Sequence, residues 1–312
     1  MFGNDDNPST PATPSNPSTP ETPEVPKVLS KITLKQGDGT KTVSFAYNDE
    51  GAISKAEYML DVKPGQYDQN FTETCTSTFK NSTDKIEATV TEKNTFDNAE
   101  QTVEVVYTLK DGKLVKYNEI HTDPEGVKHE DEAYFATTFD GDKLTALKRY
   151  TPWQDGSSKI NESFDLKWNA NVVNKSEHSY FITETGKVDN LTSCEIKYGD
   201  VKANALGGFF FCATALVEGG NEPFALREVS KSAAIYNALG TTPETLPSKV
   251  VYTFVTKEGE SQVENTVTKT YTITYTKDND GLVTKMVIKT DESSSLHGDN
   301  GGPTDTYTLD WK

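Results

Sequence analysis

The sequence predicts an all-β protein: a large, curved antiparallel meander forming an open, barrel-like sheet with one short helix, preceded by a disordered proline-rich stalk. Three observations support this prediction. Prolines recur at a fixed period near the N terminus, apolar and polar residues alternate along most of the rest of the chain, and turns containing glycine or asparagine separate the alternating segments. Alternation with a period of two places apolar side chains on one face of a strand, and tight turns make successive strands antiparallel.

The stalk is predicted for residues 1–27. Proline occupies every third position from Pro8 to Pro26, and the residues between are mostly Ser, Thr, Asn and Glu. A polyproline II helix turns once per three residues, and such a segment spans roughly 60 Å at about 3.1 Å per residue. A stiff spacer indicates a folded body that is held away from a point of attachment.

Residues 28–312 are predicted to form one antiparallel β-hairpin domain, with a subdivision near residues 200–245 as the alternative. The alternating apolar sets are Val43, Phe45 and Tyr47; Val103, Val105 and Tyr107; Phe164, Leu166 and Trp168; Val267, Tyr271, Ile273 and Tyr275; and Tyr307, Leu309 and Trp311. Threonines fill most positions between them in residues 268–276, where their β-branched side chains suit the solvent face of a strand.

The predicted turns share a pattern in which Gly51, Gly112 or Gly281 is followed two residues later by an apolar residue. Asn171 takes the place of glycine in a similar turn. Both residue types tolerate the positive φ that reverses a chain tightly. Turn centres near residues 112, 141, 170 and 199 are 29 residues apart, which predicts consecutive long hairpins.

One segment departs from the β pattern. Ser230 could cap a short helix that continues to Leu239 and ends at Gly240. Upstream, residues 203–220 are apolar and rich in glycine. We expect this region to pack inside the sheet or across its mouth, because an open meander leaves apolar surface on its concave side.

The composition restricts the classes of partner. Lys and Arg total 31 against 48 Asp and Glu, giving a net charge of −17, which disfavours nucleic acids and anionic membrane surfaces as partners.

The three cysteines, Cys75, Cys194 and Cys212, do not form a disulfide framework. Cys212 lies beside phenylalanines and is predicted to be a buried thiol, although one pair could bridge in an oxidising compartment.

We expect that residues 1–27 include no signal peptide. Met1 and Phe2 run directly into a polar segment and the prolines. We expect that an export signal, together with a lipidated cysteine, was removed for expression. In the alternative interpretation Met1 is native and the tail is only disordered.

A candidate metal site comprises His121, Asp123 and His129, which flank a predicted turn in an acidic region. Imidazole and carboxylate are common ligands of divalent cations, and the two histidines could face each other across the turn. The competing interpretation is a solvated, charged hairpin tip.

A candidate ligand-binding site comprises Tyr150, Trp153, Gln154 and Asp155 in a predicted loop. Sugars stack on exposed aromatic rings beside carboxylates and amides, but Trp153 could instead fold over a sheet edge.

No serine lies between spaced glycines as in a nucleophile motif, so no catalytic residue and no cofactor are predicted. Paired carboxylates for glycoside hydrolysis remain open among the 48 acidic residues.

The segment from Tyr47 to Lys55 resembles the tyrosine–aspartate hairpin of YD-type repeats. The whole arrangement is similar to lipid-anchored envelope proteins of Bacteroidales, a family of unknown function, including a stretch close to Leu239–Lys249. The acidic Asn4-Asp5-Asp6 fits the sorting signal that follows the lipidated cysteine in such proteins. The resemblance implies export, surface display and a large antiparallel sheet, and it supplies no catalytic residues.

The resulting expectation is a non-catalytic, surface-displayed outer-membrane lipoprotein with a binding or scaffolding role. The alternatives are a glycan-binding accessory protein of a polysaccharide-utilisation system and an envelope hydrolase. The expected partners are an extracellular glycan or another envelope protein, with no nucleic acid. The expected protein is a monomer that contacts the membrane only through its lipid anchor.

Overall fold

The computed structural model describes residues 26–37, 39–62, 70–123, 125–218, 222–259 and 262–312. The predicted stalk therefore lies almost wholly outside the described residues. The strands are β1 (Leu29–Gln36), β2 (Gly39–Tyr47), β3 (Ile53–Val62), β4 (Phe71–Asn81), β5 (Lys85–Asn94), β6 (Ala99–Lys110), β7 (Lys113–Thr122), β8 (Lys128–Glu130), β9 (Tyr134–Asp140), β10 (Lys143–Pro152), β11 (Ser158–Asn169), β12 (Val172–Ile182), β13 (Lys187–Lys202), β14 (Thr245–Glu258), β15 (Val263–Lys277), β16 (Val283–Ser294) and β17 (Gly298–Trp311). The helices are α1 (Gly207–Ala215) and α2 (Leu226–Ser232).

The predicted all-β antiparallel meander is confirmed, and its sheet closes into a barrel. Each long strand pairs with the next long strand in sequence, with β7 pairing to β9 as well as to the short β8, and β1 pairs with both β2 and β17. The short β8 pairs only with β7, so sixteen strands make up the closed wall. Closure depends on contacts such as Leu34 with Tyr307, at opposite ends of the chain. No local pattern specifies such a pairing, and for this reason the sequence predicted an open sheet.

The predicted alternation sorts side chains between the two faces of the wall. On β15, Tyr271 and Ile273 are buried inside the barrel, whereas Thr272, Thr274 and Thr276 are exposed on the outside. The same rule gives the outer wall a surface of mainly threonine, lysine and glutamate. Along β15 the wall is therefore apolar on its inner face and polar on its outer face.

The turns follow the prediction with two corrections. Gly51, Gly112 and Gly281 have the expected positive φ, but in the β11–β12 turn the residue with positive φ is Ala170 rather than Asn171. The turn expected near residue 199 is wrong, because Gly199 lies inside β13. Irregular pairing between Tyr198 and Lys202 lets this strand continue to the long connection that enters the barrel.

This connection, residues 203–244, is called the insert. It contains two helices among its described residues, where the sequence predicted one. The predicted helix is displaced: α2 begins at Leu226, and Ser230 lies within it, donating its hydroxyl to the carbonyl of Arg227 at 2.7 Å rather than capping its start. The apolar region expected inside the sheet forms α1, in which every residue is buried. A helix buried on all sides has no amphipathic period, so the pattern did not reveal it.

Polar contacts fix the insert to the wall at the C-terminal end of α1, where helix carbonyls lack intrahelical partners. Tyr252 donates its hydroxyl to the carbonyl of Thr214 at 2.6 Å, and Ser176 donates to that of Ala215 at 2.5 Å. Insert and strands share one hydrophobic core. Each fully buried phenylalanine there contributes about 1.5–3 kcal/mol relative to exposure.

The two ends of the barrel differ. The insert enters at the end that also holds the β2–β3 and β15–β16 turns, here called the insert end. The opposite end, with the β5–β6, β10–β11 and β14–β15 hairpins, is called the open end. Along β6, inward side chains become progressively more exposed from Tyr107 through Val105 and Val103 to Gln101. The insert thus fills the barrel at one end only, and the interior space that remains towards the open end is called the cup.

Cys75, Cys194 and Cys212 are all buried free thiols. The prediction of a buried thiol at Cys212 is confirmed, and burial raises the pKa of this thiol to about 12. Among the described residues, no helix is long and apolar enough to cross a membrane.

Candidate binding cavity

A cavity of about 750 Å³ lies inside the barrel, between the insert and the part of the wall formed by β6 to β11. The wall contributes Tyr107, Tyr117, Phe135 and Phe164, and the insert contributes acidic groups that include Glu218. A second cavity of about 450 Å³ lies against β15 to β17. Glu222 lines both cavities, so the two spaces are neighbours within the cup.

An aromatic belt runs around the wall of the larger cavity. The ring centroids of Tyr107 and Tyr117 are 5.3 Å apart, and Tyr117 stacks on Phe135 at 4.6 Å. The guanidinium of Arg149 lies 5.9 Å from the centroid of Phe135. Strand pairing sets this order, because Tyr117 is opposite Phe135 and Phe135 is opposite Arg149, which places all three on the inner face.

The belt continues into a buried acid–imidazole pair. His178 Nε2 is 2.9 Å from Glu162 Oε1, and both side chains are almost fully buried. The imidazole also stacks on Phe164, with centroids 4.3 Å apart. On the next inward position of β12, Tyr180 donates a hydrogen bond to Glu218 of the insert. Wall and insert thus present carboxylates to the same space.

The phenols of the belt remain protonated at neutral pH. Burial raises the pKa of Tyr107 above its ordinary value, and the nearby carboxylate of Glu119 adds to the effect. Burial also raises the pKa of Tyr117, with further contributions from neighbouring acidic groups that include Glu162. The belt therefore offers aromatic faces and hydroxyl donors, while the carboxylates offer acceptors.

A charged cluster fixes the position of α2 against the wall. Arg227 Nη2 is 2.9 Å from Glu92 Oε2 and Arg227 Nη1 is 3.3 Å from Glu73 Oε1, while Lys231 Nζ is 2.6 Å from Glu92 Oε1. Burial alone would raise the pKa of Glu92, but the hydrogen bonds from Arg227 and Lys231 outweigh it and lower this pKa. The cluster holds the floor of the cup in place.

The four residues of the predicted ligand site do not lie on one surface. Tyr150 stacks on Tyr134 at 5.2 Å, on the face of β10 opposite Arg149. Trp153 packs under Lys159 Nζ, which is 4.0 Å from its ring centroid and is opposite Thr151 on the inner face. Trp153 and Tyr150 are therefore on different faces of the wall.

The remaining two members of that site are at the tip of the β10–β11 hairpin. Gln154 is exposed there. The Asp155 carboxylate accepts hydrogen bonds from the amide and hydroxyl of Ser157 at 2.9 and 2.5 Å, which lower its pKa. These bonds stabilise the turn.

The predicted metal residues lie on the β7–β8 hairpin. His121 and His129 are opposite each other across the two strands, as the sequence suggested. They have different carboxylate neighbours, however: His129 Nε2 is 2.8 Å from Asp123 Oδ2, whereas His121 Nε2 is 3.4 Å from Asp131 Oδ2. The structure brings Asp131 and Glu119 beside His121, and neither residue was in the predicted ligand set.

Sequence reasoning also missed the cavity residues. The alternation of Phe164, Leu166 and Trp168 extends backwards to Glu162, which signals an inward carboxylate. Nothing in the sequence indicates that His178, 16 residues away, would bond to it.

No protein-family model matches the sequence, and no curated protein matches it. Among solved structures, a porin-like protein from Bacteroides uniformis is 18% identical, with a TM-score of 0.56, covering 91% of this chain and 96% of that chain. A porin-like protein from Bacteroides vulgatus is 10% identical, with a TM-score of 0.50, covering 91% of this chain and 98% of that chain. At these identities, the likeness shows that the chain shares the barrel fold of these porin-like proteins over nearly its whole length.

Proposed function

We propose that the protein is a non-catalytic binding module of the bacterial cell envelope that holds a ligand inside its barrel. The observation that carries this proposal is the 750 Å³ cavity with its aromatic belt. Ligand sites typically enclose about 300–1,000 Å³ and combine apolar walls with a few placed polar groups. The Glu162–His178 pair and the phenols of Tyr107 and Tyr117 supply such groups.

The envelope location rests on the porin-like neighbours and on the resemblance seen in the sequence. We propose that the barrel body stands in water rather than in the bilayer. A membrane barrel carries apolar residues on its outer face, and a Lys at the bilayer midplane costs about 2–4 kcal/mol. Here the outer face carries threonine along β15, and Lys249 and Lys289 on β14 and β16. Attachment would then depend on the proline-rich stalk and a lipid anchor.

A glycan is the leading ligand class, and it is the alternative that the sequence favoured. Aromatic side chains can pack against the C–H face of a sugar, and carboxylates can accept hydrogen bonds from its hydroxyl groups. Both features occur in the cavity, whose lining includes Phe135, Phe164 and Glu162. The outer pair of Tyr134 and Tyr150 is the competing location.

A glycan array on the purified protein, with Phe135→Ala and Tyr150→Ala as paired variants, tests the function. We expect a hit that Phe135→Ala weakens at least tenfold and Tyr150→Ala, on the outer face, leaves unchanged. The reverse pattern would move the site to the outer surface and contradict the cavity proposal. No binding at all would favour a purely scaffolding role.

The third possibility, an envelope hydrolase, is tested on the same glycans. Release of new reducing ends by the wild-type protein would overturn the non-catalytic assignment.

The location is tested by expressing the chain with its natural leader and separating membranes from soluble extract. Sedimentation with the outer membrane, together with detergent-free solubility of the isolated barrel, is the expected result.

A further inference from the structure

We propose that the β7–β8 hairpin binds a divalent transition-metal ion such as Zn²⁺ through Glu119, His121 and Asp131. The inference is independent of the proposed function, because it concerns the hairpin at the open end rather than the cavity ligand. It also differs from the set that the sequence suggested, since Asp123 and His129 are not in it.

Strand pairing brings the three residues together. His121 is opposite His129, and the amide of Asp131 donates to the carbonyl of Glu119 at 2.8 Å. Because side chains alternate along a strand, Glu119, His121 and Asp131 lie on one face of the hairpin. One potential ligand atom from each of the three lies within 4.8 Å of the others.

The spacing fits a shared ion better than a direct hydrogen bond. His121 Nε2 and Asp131 Oδ2 are 3.4 Å apart, whereas the other exposed acid–imidazole pairs, His129–Asp123 and His297–Glu258, are 2.8 and 2.7 Å apart. Two ligands bound tetrahedrally to one ion at about 2.0–2.1 Å are separated by about 3.4 Å. Glu119 is exposed, so its carboxylate can close the remaining distance by rotamer change.

One of the ligands is already oriented. Asp131 Oδ1 accepts a hydrogen bond from the amide of Ala133 at 3.1 Å, which directs Oδ2 towards His121. The side-chain amide of Asn118 also donates to the Asp131 carbonyl at 3.4 Å. Such supporting hydrogen bonds commonly hold metal ligands in place.

The ligand set determines the class of ion. One imidazole and two carboxylates suit Zn²⁺ and similar ions, whereas Mg²⁺ and Ca²⁺ prefer oxygen ligands alone. Three protein ligands leave a fourth position for water or another molecule. The position is close to the open end, since Glu119 is opposite Val105, which lies between the buried Tyr107 and the exposed Gln101 along β6.

Titration calorimetry with ZnCl₂ on the tag-free protein at pH 7.5 tests the proposal. We expect one ion per chain, and binding of MgCl₂ at least tenfold weaker. Each of Glu119→Gln, His121→Ala and Asp131→Asn should weaken Zn²⁺ binding at least tenfold. Binding of Co²⁺ should give a visible absorption band that His121→Ala removes.

The matched control is His297→Ala, which removes a similarly exposed imidazole at the same end of the barrel and should leave Zn²⁺ affinity unchanged. Circular dichroism of each variant must match the wild type. Unchanged affinity in His121→Ala and Asp131→Asn, or absence of Zn²⁺ binding, would overturn the proposal. A loss in His129→Ala as large as that in His121→Ala would show that this ligand set is wrong.

Discussion

The interior of the barrel is packed with apolar side chains at the insert end, whereas it contains charged side chains and cavities at the open end. At the insert end, α1 is buried on every side, and the wall around it supplies apolar residues such as Leu144, Val173 and Leu246. Towards the open end, inward positions hold charges such as Glu92 and Glu292 and face cavities. The large apolar side chains that are exposed in the described part of the chain all lie in the open half: Met59, Phe96, Val127, Ile182, Val188, Leu191, Val255, Val263 and Leu296.

This difference separates the half of the barrel that contributes packing stability from the half that has room to bind a ligand. The interior of an eight-stranded barrel is just wide enough for its own side chains to fill, whereas sixteen strands leave a channel. The insert fills that channel only partly, so one half has a packed core and the other half retains space for a ligand. Substitutions should therefore have large effects on stability at the insert end and small effects at the open end.

The largest effect is expected for Gly208→Ala in α1. A Cβ atom at Gly208 would overlap the backbone of Tyr236, which cannot yield without moving the insert. We expect a loss of more than about 4 kcal/mol in the free energy of unfolding, measured by urea denaturation. The control is Gly301→Ala near the open end, where a Cβ would meet no atom within 4 Å. Equal losses of unfolding free energy in the two variants would contradict the proposed difference in packing between the two ends of the barrel.

A pair of phenylalanines gives the next test. Phe211 of α1 is 2% exposed, whereas Phe96 in the β5–β6 turn is 61% exposed. Truncation of a buried phenylalanine leaves a cavity, so Phe211→Ala should cost about 3–5 kcal/mol of unfolding free energy. Phe96→Ala should change it by less than about 0.5 kcal/mol. A cost above 2 kcal/mol for Phe96→Ala would mean that the open end is also packed in solution.

The charged cluster at the boundary should make a smaller, pH-dependent contribution. Glu92→Gln removes the anion that binds Arg227 and Lys231, and about 1 kcal/mol of stability should be lost at pH 7. Because folding lowers the pKa of Glu92, this contribution is present above the ordinary glutamate value, about 4.3. It disappears as the pH falls through the lower, folded value. Denaturation curves from pH 7 to pH 3 should therefore converge for wild type and variant, and parallel curves would exclude this linkage.

The smallest effect is expected in thiol labelling of the native protein. Burial raises the pKa of Cys194 and Cys212 to about 12, and it also raises that of Cys75. The thiolate is the reactive form, so iodoacetamide at pH 8 should label none of the three within minutes and all of them in urea. Mass spectrometry identifies the labelled site. Rapid labelling of Cys212 in native protein would show that the insert leaves the barrel readily.

Sequence reasoning went furthest where the information was local. Alternation in residues 267–276 assigned the two faces of β15, and glycines such as Gly51 and Gly112 marked turns correctly. It failed at α1, whose uniform burial gives no period, and at Gly199, where irregular pairing carries β13 through a residue that signals a turn. For the predicted metal site, it anticipated that His121 and His129 would face each other, but Asp123 lies beside His129 and not beside His121.

The sequence by itself determined the strands, their inner and outer faces, the polar outer wall and the presence of an apolar segment too hydrophobic for the surface. All of these follow from the period of side chains along an extended backbone and from the conformations that glycine permits. Only the tertiary structure decided that β1 meets β17, that the insert fills one end, and that Glu162 meets His178 inside. Those contacts join residues distant in the chain, and their energies depend on closure of the whole barrel.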